Sequence, residues 1–174
     1  MKPDCILHLK ALNDISISVC NDLKNESKLN IKKILRSSEN ERLSCLNKTT
    51  IAFITPIDRE DIVWLALLIH RLNEDLCGIS VFSEKFGIKP PVLSEIDNIR
   101  TMCKEVERVI TSNFHTIPAY PPDTENSFLT RSFAESYELY GPLLRLTLFQ
   151  KIDQCCKRSC EILDYLTRTV IKNS

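Results

Sequence analysis

The chain has 174 residues, in which 23 Lys plus Arg balance 23 Asp plus Glu, and its pI is about 6.8. Basic residues are scattered rather than massed, which excludes the electrostatic footprint of a nucleic-acid-binding surface. The 3 glycines, Gly78, Gly87 and Gly141, are too few for a β-rich or loop-rich fold, and the length fits one domain over residues 1–174.

Hydrophobic spacing predicts about five helices in chain order. Near the N-terminus, Cys5, Leu9, Leu12, Ser16, Val19 and Leu23 recur at steps of three and four, the signature of one buried helix face. Residues 29–50 carry a weaker pattern, with Ile31, Leu35, Leu43 and Leu46 on the expected face. The run TTIAFIT at 49–55 is β-branched, but an isolated strand has no partner, so it is assigned to a helix end and a connection. A middle helix is marked by Ile62, Leu65, Ile69, Leu72, Leu76 and Ile79. Next, residues 87–91 (Gly-Ile-Lys-Pro-Pro) stop one helix and restart another. A further seam runs Ile96, Ile99, Cys103, Val106 and Ile110, and HTIPAYPPDTEN at 115–126 reads as a loop. Gly141-Pro142 kinks or divides the last helical region. A final heptad-like seam takes in Phe149, Ile152, Cys156, Ser159, Leu163, Leu166 and Val170. Such seams want neighbouring helices at shallow angles, so an all-α antiparallel bundle with short connections is expected.

The 8 cysteines invite a disulfide reading, but the first residues, MKPDCILHLKALND, hold no apolar run of signal-peptide length. The longest apolar run, IVWLALLI at 62–69, is too short to span a bilayer. A cytosolic protein with reduced thiols is therefore expected. Cys155, Cys156 and Cys160 cluster, yet no CxxC pair or neighbouring His accompanies them, so they are read as small apolar core residues rather than zinc or redox ligands. No nucleophile elbow, phosphate loop or HExxH motif points to an enzyme.

FITPIDREDI at 53–62 is the most distinctive stretch. Thr55 suits a helix N-cap, Pro56 the first helical position, and Asp58 a reciprocal capping contact. Glu60 and Asp61 complement the positive end of a helix dipole. Capping accounts less well for the whole group Arg59, Glu60 and Asp61.

TPIDREDI resembles the hallmark of PhoU-like proteins encoded beside low-affinity, Pit-type inorganic phosphate transporters. In that family the phrase opens a central helix of an all-helical bundle whose last helix bears cysteines and an apolar-basic tail, as IDQCCKRSCEILDYLTRTVIK does at 152–172. The resemblance implies a PhoU-like bundle and a regulatory or accessory protein of phosphate uptake. Its implied partner is a Pit-type permease, contacted at the inner membrane face from the cytoplasm. The implied contact residues are Asp58, Arg59, Glu60 and Asp61. The sequence leaves the oligomeric state open, a homo-oligomer included.

Members of the family also carry carboxylates four residues apart, which share a helix face and converge on metal clusters. The equivalent positions here are Leu35 and Glu39, His70 and Glu74, Ile99 and Cys103, and Phe149 and Asp153. No pair keeps two acids, so no cofactor is expected. The alternative is a metal-binding bundle with a reduced site of His70, Glu74, Glu39 and Asp153. His70 is otherwise a partly buried histidine satisfied by helical neighbours.

Overall fold

The computed structural model describes residues 4–25, 27–52, 54–87, 93–120 and 142–173. The described residues form five helices and no strand: α1 Asp4–Lys24, α2 Ile31–Ile51, α3 Arg59–Phe86, α4 Leu93–Thr111 and α5 Pro142–Lys172. The all-α class follows from the sequence pattern. The seam residues of α1, α3 and α4 are buried, as are those of α5 apart from half-buried Cys156. They meet in one continuous apolar cluster. Gly87 ends α3 at φ +63°, a left-handed conformation that glycine adopts without strain. α5 begins at Pro142, where a missing N–H leaves no helical bond unmade. Gly141, residues 88–91, residues 121–126 and Phe53 lie outside the described residues.

Packing assigns the helices to two layers. α1, α3, α5 and α4 touch in a closed ring, while α2 packs outside it, mainly against α1 and α3. Paired contacts give the directions. His8 of α1 meets Glu41 of α2, and Ser38 of α2 meets His70 of α3, so α2 opposes both. Asn13 of α1 donates to the Cys103 carbonyl of α4, and Lys24 pairs with Asp97, so α4 opposes α1. Asp61 and Asp75 of α3 meet Tyr165 and Arg158 of α5, so α5 opposes α3. It follows that α4 and α5 lie side by side in the same direction. The expected antiparallel packing therefore fails at two neighbouring pairs, α1 with α3, which α2 joins by running back between them, and α4 with α5. Parallel neighbours need a long return path, and residues 112–141 join α4 to α5.

α2 corrects a second expectation. Leu43 is exposed, and the fully buried positions of α2 are Ser38, Cys45 and Thr49. These small residues let α2 lie close on the α1–α3 edge. The Cys45 thiol donates to the Cys5 carbonyl at 3.3 Å, and Thr49 donates to the Cys45 carbonyl at 2.7 Å. All eight cysteines are free, six of them buried. Burial pushes the Cys45 thiol up to about 12 and Cys77 to about 11, so both stay protonated and unreactive at neutral pH.

Candidate functional site

The stretch that opens α3 is built differently from the sequence expectation. Helix α3 begins at Arg59, with Asp58 rather than Thr55 as its N-cap. Ile57, just before the cap, and Ile62, four residues into the helix, are both buried in the shared core. These are the positions of a hydrophobic staple, and they set the helix start three residues later than Thr55-Pro56 suggests. The Asp58 side chain makes no capping bond and pairs instead with Lys172 of α5. Asp61 turns inward, only 8% exposed, where the Tyr165 hydroxyl donates to it at 2.8 Å. Burial, reinforced by that bond, pushes the Tyr165 phenol up to about 12. Lys172 also reaches Asp61, at 3.5 Å.

Two of the four charged residues thus anchor the start of α3 to the end of α5. Arg59 and Glu60 remain exposed, with Arg59 donating to the Ala52 carbonyl across the α2–α3 connection. Around them stand Ile51 and Ile54, 74% and 75% exposed, and Trp64. A groove of about 330 Å³ runs here between Thr49, Thr50, Arg59, Glu60, Val63 and Trp64.

The second site lies where α2 crosses α3. Ser16 of α1 donates to Asn73 Oδ1 at 2.6 Å, and the Asn73 amide donates to the Leu12 carbonyl at 3.1 Å and to Ser38 Oγ at 3.0 Å. Asn73 is fully buried, so these bonds replace the water its amide loses. Ser38 Oγ lies 2.9 Å from His70 Nδ1. The other ring nitrogen of His70 is Nε2. That nitrogen faces Glu39 at 3.4 Å and Glu74 at 3.6 Å. Arg42 grips Glu39 through two bonds of 2.7 Å and holds its carboxyl below the usual range. Leu67 and Arg71 complete a groove of about 480 Å³.

Three of the four sequence-predicted metal residues therefore converge: His70, Glu39 and Glu74. Asp153 does not join them, being paired with Lys157 on its own helix at 2.6 Å. The convergence fits a metal poorly. Glu39 is committed to Arg42, whose charge opposes a cation. Among the described residues no group of three or more His, Cys, Asp or Glu is arranged to hold a metal ion. The residues present do not fit a multinuclear carboxylate cluster.

Sequence reasoning missed Asn73, Ser38, Arg42, Tyr165 and Lys172. Asn73 and Ser38 had one available signal, since each is a polar residue flanking a helix's buried stripe. No helix of the described residues is long and apolar enough to cross a membrane. No protein-family model matches the chain, and no curated protein matches it.

Proposed function

We propose that this is a non-enzymatic regulatory or accessory protein of inorganic phosphate transport, working from the cytoplasmic side by contact with a Pit-type permease. The observation that carries the reading is the TPIDREDI phrase at the α2–α3 corner, with Arg59 exposed between Ile51 and Ile54. An exposed charge set among exposed aliphatic residues suits a protein contact, in which the apolar groups supply area and the charge supplies orientation. The contact surface is Arg59 with Ile51 and Ile54, bordered by Glu60. Asp58 and Asp61 support it from behind through α5.

The test is co-purification with a Pit-type permease, combined with phosphate uptake in cells lacking the protein. We expect capture of the permease and altered uptake, both lost in Arg59→Glu without loss of folding. Absence of contact together with unchanged uptake rejects the reading.

The alternative, a metal-binding bundle, has the approach of His70, Glu39 and Glu74 in its favour and the Arg42 pairing against it. Stoichiometric metal in the purified protein, lost in Glu74→Gln, would favour it instead.

A further inference from the structure

α3 carries two seams with the same spacing. One, from Ile62 to Ile79, is the core face. The other is solvent-facing and runs from Glu60 through Trp64, Leu67, Arg71, Glu74, Gly78 and Val81 to Lys85. Its steps alternate between four and three over the length of the helix, so all of it lies along one line. Three separate grooves open along that line. Glu60 and Trp64 border the first groove, and Leu67, Arg71 and Glu74 the second. Glu74, Gly78, Val81 and Lys85 border a third, of about 540 Å³, walled by Ile31 and Leu35 of α2, Phe82, and Lys151 of α5.

Among the described residues nothing packs closely enough on Gly78 to require a glycine. Glycine in a helix interior is unfavourable, and a Cβ here would meet only the flexible end of Lys151, at 3.8 Å. Open space above a mid-helix glycine suits the close approach of another chain.

We infer that this seam is the contact face of a homodimer, in which two α3 helices pack antiparallel about a two-fold axis midway between Leu72 and Asn73. The inference is independent of the phosphate-transport reading. A two-fold axis makes every contact occur twice and demands that the surface complement itself. In this register it does. Arg71 of each chain faces Glu74 of the other, and Glu60 faces Lys85. Leu67 faces Gly78, a large residue over a gap. Trp64, half exposed in one copy, enters the other copy's groove at Val81, between Phe82 and the α2 wall.

Neighbouring registers are excluded by the same residues. Sliding the axis by half a heptad one way sets Leu67 against Lys85 and Arg71 against Val81. Sliding it the other way sets Trp64 against Glu74 and Leu67 against Arg71. A slide by a full heptad also gives matched pairs, Glu60 with Arg71 and Trp64 with Leu67 or Glu74 with Lys85 and Gly78 with Val81, but engages only half of the seam, so the central register is the one that satisfies all eight positions.

The experiment is sedimentation equilibrium of the full chain from micromolar to hundreds of micromolar, at low and high salt. The wild-type protein should self-associate reversibly to a dimer that weakens with salt, because exposed ion pairs are screened. Arg71→Glu places acids opposite acids, and Glu74→Arg places bases opposite bases. Each should weaken its own dimer by about tenfold or more. An equimolar mixture of the two variants restores both pairs and should recover a heterodimer near wild-type strength. Lys85→Glu, which faces Glu60 and lies away from His70, is an independent third variant and should also weaken the dimer. All three positions are exposed, and helical circular dichroism confirms folding. A wild-type chain that stays monomeric throughout overturns the inference. So does a dimer indifferent to Arg71→Glu and Lys85→Glu, or a mixture that fails to recover.

Discussion

The two faces of α3 share a spacing and differ in content. Ile62, Leu65, Ile69, Leu72, Leu76 and Ile79 are essentially inaccessible to solvent. The opposite seam mixes Glu60, Trp64, Leu67, Arg71, Glu74, Gly78, Val81 and Lys85. An all-apolar seam gains free energy against any apolar neighbour and is therefore strong but undiscriminating. A seam of alternating charge, bulk and gap gains little against most surfaces and considerably more against its complement. One face makes the fold and the other can choose a partner. Between them sits a polar layer, Ser16–Asn73–Ser38–His70, that attaches α2 to the ring.

Substitutions can break this contrast, and the largest effect belongs to the inner face. Leu72→Ala should lower stability by about 2–5 kcal/mol in urea denaturation, through lost burial and the cavity left behind. A loss like that of an ordinary surface substitution would mean that the inner seam is not the core. Asn73→Ala should follow at about 1–3 kcal/mol, because it removes the partner of the Ser16 and Ser38 hydroxyls in a buried layer. Its effect should fall most heavily on hydrogen-exchange protection in α2, which depends on that layer and buries only small residues.

Acid sharpens the comparison further, since the inner seam holds no titratable side chain while the α2 joint does. Arg42 lowers the Glu39 carboxyl below its usual 4.5. A group whose folded value is depressed contributes fully above its unfolded value, and that contribution disappears as pH falls through the folded value. Protection of α2 amides should therefore fall as pH drops below about 4.5. Unchanged protection of α2 over that range would argue against that contribution. The smallest effect is of opposite sign. Gly78→Ala should raise the stability of dilute protein by about 0.5–1 kcal/mol while weakening self-association, because the added methyl meets Leu67 of the second copy.

How much of this was legible in the sequence depended on what each seam was made of. Four apolar seams announced their helices, because Ile, Leu and Val recurring at steps of three and four have few other readings. The face of α2 was misread at Leu43, because its buried positions, Ser38, Cys45 and Thr49, are small and partly polar and leave no apolar period. The start of α3 was placed at Thr55 because Thr-Pro is a sound capping pair. Ile57 and Ile62 decided otherwise, and their burial depends on the whole core. The parallel pairing of α4 and α5 depends on which helices touch, and helical spacing does not encode that. His70, Glu74, Glu39 and Asp153 were grouped through the resemblance, and the first three do lie together, but the Arg42 pairing that occupies Glu39 and the separate place of Asp153 come from side-chain geometry. The outer seam of α3 went unnoticed because a search for apolar residues passes over a stripe whose regularity lies in its pairing.

Trp64, the chain's one tryptophan, stands in the outer seam and reports on that pairing directly. Acrylamide quenching of its fluorescence should be followed across the same concentration range as the measured mass. The account predicts that quenching falls and the emission shifts to the blue as mass rises to that of a dimer, with both changes absent in Arg71→Glu at matched concentration. Trp64 equally open to quencher in monomer and dimer, or a chain that never associates, would contradict it.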